Sequence, residues 1–91
     1  DLKVEHSKVI MKTTGLELAR LVIDAGVDMH HSKLVSVDSA SVFHCIEGLV
    51  IIKTIDEEIR LKQGQLIYLD GGVEHALIGV EKSVILLTIV L

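Results

Sequence analysis

Apolar residues along this chain fall in short runs separated by glycines and polar clusters. Val9–Lys12 and Leu18–Ile23 come first; Ser41–Ile46, Leu49–Ile55, Ile59–Leu61, Leu66–Leu69, His75–Val80 and Val84–Leu91 follow. Runs of strand length at such close intervals predict an all-β sandwich or barrel. Helical periodicity is weak. Thr14–Arg20 contains Gly15 and leads into Leu21-Val22-Ile23, which favours a strand. Asp56-Glu57, between Val50–Ile55 and Glu58–Leu61, predicts a hairpin. Glu47-Gly48 and Gly71-Gly72 mark further turns, and Gly64 permits a positive φ after a strand. No repeat, low-complexity tract or linker interrupts residues 1–91, which read as one domain.

The last run differs from the rest. Alternation puts Val84, Leu86, Thr88 and Val90 on one face and Ile85, Leu87, Ile89 and Leu91 on the other. Both faces are apolar, whereas a strand of a monomeric barrel has one wet face. A homodimer through this C-terminal strand is therefore expected, with Leu87 and Ile89 as contact positions to probe. An N-terminal strand laid over it within the same chain is the alternative.

Composition agrees with a β-rich core. The chain has 91 residues, 49% of them hydrophobic, with one Tyr, one Phe and no Trp. Val, Leu and Ile dominate, as suits strands packed on both faces. The formal net charge is −4, and the nine Lys and Arg residues are scattered. That argues against nucleic acid and against an anionic membrane surface as partners. The single Cys45 excludes an internal disulfide and fits a reducing compartment. Set in an apolar run, it reads as a buried, inert thiol, with His44 on the opposite strand face and so unable to serve as its base. No basic-then-apolar leader is present, and Val84–Leu91 is far short of the ~20 residues of a spanning helix. A cytoplasmic protein is the expectation.

The residues with chemistry to offer form two groups: His30, His31 and His44 upstream, and the segment Gly64 to His75. The second reads Gly64, five residues, Asp70, one residue, Gly72, two residues, His75. This resembles the second motif of the cupin superfamily, in which a Pro holds the place of Asp70 and an Asn that of Gly79. Upstream, Gly26, His30-His31-Ser32-Lys33 and the closing Gly48 resemble the first motif. The stretches FHCIEGLVII, RLKQGQLIYL, GVEHAL and SVILLTIVL are similar to small single-domain cupins of unassigned function, over residues 16–91.

The resemblance implies a single-domain, RmlC-like jelly-roll barrel with His75 opening a strand and lining the lumen. It also implies a metal site of several histidines and one carboxylate, leaving positions open for substrate. Here Lys33 stands at the second histidine position of the first motif if His31 takes the first, and Val42, six residues before Gly48, stands at the glutamate position. His75, with His31 or His30, and His44 if its strand face is the lumen, are the candidate ligands for Mn, Fe, Ni, Cu or Zn. His75, His44, Tyr68 and Lys33 are the candidate contacts for a small molecule. The reading is a small cupin that binds a small molecule or metal ion in its barrel without well-defined catalysis. The alternatives are a metal-dependent enzyme, dioxygenase- or isomerase-like, using a reduced histidine site, and a non-catalytic dimeric sensor or structural module.

Overall fold

The computed structural model describes residues 5–29, 34, 36 and 38–91, with side chains from Val9 onward. Eight strands account for them: β1 (Glu5–Lys12), β2 (Leu16–Ile23), β3 (Ser41–Glu47), β4 (Leu49–Thr54), β5 (Glu58–Lys62), β6 (Leu66–Leu69), β7 (His75–Gly79) and β8 (Ser83–Val90). Each run of apolar residues picked out in the sequence corresponds to one of them, with Ile55, Val80 and Leu91 falling just past the strand ends. One sheet has the order β1-β2-β8-β3-β6 and the other β5-β4-β7. All named pairings are antiparallel. The short sheet is prolonged beyond β7 by residues 26–29. Gly26 donates to the carbonyl of Gly79, Gly79 to that of Val27, and Met29 to that of Leu77.

Strand alternation decides what enters the barrel. In β3 the buried positions are Ser41, Phe43 and Cys45. Their partners in register are Ile89, Leu87 and Ile85 on β8, with Leu69 and Ile67 opposite Ser41 and Phe43 on β6. Val50 and Ile52 of β4, Leu61 of β5 and Leu77 of β7 face them from the short sheet. Ile23, Cys45, Val50, Ile52 and Ile85 have no exposed surface at all. The interior is thus a packed aliphatic core, the form expected of a barrel of this size.

The chain passes from one sheet to the other at Gly48, whose φ is 92°. A Cβ there would collide with the Ser83 hydroxyl and with the backbone of Lys82 and Ser83. The space is used by Ser83, which is fully buried. Its Oγ accepts from the Leu49 amide at 2.9 Å and lies 2.7 Å and 3.1 Å from the carbonyls of Glu81 and Leu49. The predicted hairpin closes at Thr54–Glu57, where the Thr54 amide donates to the Glu57 carbonyl and the Glu57 amide to the Thr54 hydroxyl.

Two expectations about the last strand need correction. Leu87 and Ile89 face inward, in register with Phe43 and Ser41, so the outer face of β8 is the one bearing Val84, Leu86, Thr88 and Val90. The N-terminal strand does not cover that face: β1 pairs with β2 at the margin of the sheet. A bulge between Val9 and Met11 breaks its register, and Val9, Ile10 and Met11 are exposed.

Candidate functional site

The site begins at the end of β6. After Leu69, residues 70–74 turn the chain into the second sheet, with the Val73 amide donating to the Asp70 carbonyl and Gly72 at a φ of 84°. Gly71 packs against the carbonyl of Asp38 where a side chain would not fit. His75 then opens β7 opposite Thr54, the last residue of β4, and is 6% exposed. Its Nδ1 lies 3.1 Å from the carbonyl oxygen of Val73. A carbonyl can only accept, so Nδ1 carries the hydrogen in this contact. Phe43 meets the imidazole edge to face, with centroids 5.4 Å apart and planes at 72°. The turn, the ring and the tautomer are therefore set by neighbours that the motif spacing brings together.

Beside this end, a cleft of about 430 Å³ opens along the seam between β5 and β6. Thr54, Ile59, Ile67, Leu69 and Val73 line it, and Asp56, Glu57 and Glu74 stand at its rim. It reaches Thr54 and Val73, the two residues that pair with and fix His75.

The other candidates separate. His44 is half-buried on the outer face of the five-stranded sheet, opposite Leu66 and Leu86. Because Phe43 beside it points inward to His75, His44 cannot join His75 in the lumen; this corrects its expected place as a ligand. Val42 faces outward by the same parity, and the inward position is Ser41. Tyr68 is 59% exposed on the outer face yet borders the cleft, so it does not enter the lumen. The Asp70 carboxylate, hydrogen-bonded to its hydroxyl and close in charge, raises the phenol above its ordinary value. His30, His31 and Lys33 lie outside the described residues. Cys45 is buried on the inner face, its Sγ 3.5 Å from the Glu47 carbonyl. Burial pushes its thiol up, and a nearby Glu81 adds to that against the pull of the hydrogen bond.

Among the described residues no group of three or more His, Cys, Asp or Glu side chains is placed to hold a metal ion. They contribute one imidazole at this end of the barrel and do not by themselves make up a metal centre. No helix among them is long and apolar enough to cross a membrane. What remains is a positioned histidine at one end of the packed core, with a cleft next to it.

The architecture recurs in solved structures. A conserved protein of unknown function, SPY1581 from Streptococcus pyogenes, superposes with a TM-score of 0.84 at 26% identity, over 94% of this chain and 73% of that one. A cupin superfamily protein from Desulfitobacterium hafniense gives 0.87 at 13% identity, over 96% and 77%. Ectoine synthase from P. lautus gives 0.81 at 24%, over 99% and 66%. No family model matches the sequence, and no curated protein matches it. The fold is that of the cupins: an all-β, RmlC-like jelly-roll barrel.

Proposed function

We propose that this cupin holds a small molecule or a metal ion at the His75 end of its barrel, without catalysis of its own. The observation that carries the reading is His75: buried at the start of β7, its Nδ1 held at the Val73 carbonyl and its ring packed on Phe43. A metal, where bound, would take the His75 imidazole, with His31 or His30 as further ligands and Lys33 as a polar contact for a small molecule. A divalent ion held there supplies Lewis acidity. The fold is shared with an ectoine synthase, but fold alone does not carry chemistry across. His44 faces away from His75, which weighs against an enzyme site built on both.

We also propose a homodimer through the outer face of the five-stranded sheet. Val84, Leu86, Thr88 and Val42 lie there half-buried, with Leu66 and Tyr68 more exposed, and no described element covers them. An apolar strip of this kind on a small domain marks an interaction surface. A cytoplasmic setting fits the single buried thiol.

Elemental analysis of the untagged protein tests the site. After incubation with Mn, Fe, Ni, Cu and Zn and removal of excess, retained metal or a co-purifying small molecule is expected, and His75→Ala abolishes it. Equal retention by the variant would refute the role of His75.

A further inference from the structure

β5 is the last strand of the short sheet and β6 the last of the long one, and no described strand pairs with the far edge of either. The cleft between them is therefore open to solvent, bordered by the turns at 54–57 and 70–74. Leu69 belongs to the core, and Ile67 and Val73 pack against it. With Ile59 they give the cleft an apolar floor. Its volume of about 430 Å³ is that of a small-molecule pocket.

Charge says what kind of molecule fits. Asp56 and Glu57 stand on one side of the floor, in the β4–β5 turn, and Glu74 on the other, just before β7. Among the described residues none of the three is in an ion pair, and no Lys or Arg lines the cleft. Strand alternation keeps the bases of β5 away, because Arg60 and Lys62 share the face opposite to that of Ile59 and Leu61. Uncompensated carboxylates on both sides of an apolar floor attract cations and repel anions.

The cation is not a bare metal ion. Among the described residues no three acidic, His or Cys side chains converge to hold one. A small hydrated ion would also leave the aliphatic floor in water, whereas a cation on a hydrocarbon body covers it. Tyr68 borders the same cleft, its hydroxyl bonded to the Asp70 carboxylate. An aromatic ring attracts an ammonium group to its face.

We propose that the β5–β6 cleft binds an organic cation, an amine or quaternary ammonium group on an apolar body. Asp56, Glu57 and Glu74 meet the charge together with the Tyr68 ring, and the aliphatic floor takes the body. His75 does not line this cleft, so the inference goes beyond the reading of that residue and is tested apart from it.

The test uses the full chain, 15N-labelled, titrated at low salt with phenethylammonium, 2-phenylethanol and phenylacetate, which are close in size and differ in charge. Mg2+ serves as the bare cation. Phenethylammonium is expected to shift the amide resonances of Glu57, Ile59, Tyr68 and Val73 saturably. The alcohol and Mg2+ are expected to bind about fivefold more weakly or worse, and phenylacetate not at all. The double variant Glu57→Gln, Glu74→Gln changes only exposed side chains and is expected to fold by circular dichroism while losing affinity for phenethylammonium about fivefold. Tyr68→Leu is expected to lose about threefold, and Tyr68→Phe, which keeps the ring, to retain the wild-type affinity. Absence of a saturable shift at these amides, or the alcohol or phenylacetate binding as tightly as the amine, would overturn the proposal. So would Mg2+ binding as tightly, which would reduce the cleft to an acidic patch, or unchanged affinity in the double variant or in Tyr68→Leu.

Discussion

Phe43 of one sheet and His75 of the other meet edge to face across the interior, 5.4 Å between ring centroids. The contact fixes the inward face of β3 and holds the imidazole in place at the barrel end. An aromatic pair of this geometry contributes about 0.5–1.5 kcal/mol beyond the area it buries. Phe43→Leu keeps an apolar side chain and removes the ring. Its melting temperature is expected to fall by several degrees, with a loosened His75 visible as a weaker response of its ring resonances to metal. An unchanged melting temperature would show that the pair is incidental.

Parity along β8 gives a two-sided test. Leu86 faces outward and Leu87 inward, in register with His44 and Phe43 respectively. Leu86→Lys is expected to keep the fold by circular dichroism and to elute as a monomer. Leu87→Lys places a charge against the core and is expected to unfold or aggregate. A monomeric wild type at micromolar concentration would remove the dimer.

The corner at Gly48 carries a separate expectation. Ser83→Ala strips three contacts from a fully buried position and leaves the Leu49 amide without its acceptor. A loss of about 1–3 kcal/mol follows, read as a lowered midpoint in urea. Gly48→Ala adds strain at positive φ to a clash with Ser83, and is expected to exceed that loss. Equal stability of wild type and either variant would contradict the geometry.

Cys45 links stability to alkaline pH. Burial raises its thiol above the ordinary value of 9.0. The protonated form is thus favoured by folding, a contribution fully present below that value and lost as pH rises through the folded pKa. Cys45→Ser or Cys45→Ala would flatten the decline in stability above pH 9.0. At neutral pH the native thiol is expected to react with iodoacetamide far more slowly than the urea-unfolded chain. Equal rates would place the thiol at the surface.

The strands were readable because each is a bounded apolar run, and the turn at Gly71-Gly72 because its spacing to His75 is written in the sequence. The inward face of β3 was not. Val42, Phe43, Cys45 and Ile46 are all apolar, so the alternation that would separate inside from outside is absent. That left His44 assignable to either side, and the outer face of the five-stranded sheet is apolar enough to accept it. The same ambiguity turned Leu87 and Ile89 outward in expectation.

The register break between Val9 and Met11 has a consequence for life in a crowded solution. β1 is a marginal strand with hydrogen-bonding groups on its far side and exposed apolar side chains, and such a strand invites pairing with any other. The bulge bends that margin and interrupts its ladder, so a second strand cannot be added in continuous register. A deletion of Ile10 would straighten the margin, and the chain would then recruit copies of itself into growing sheets.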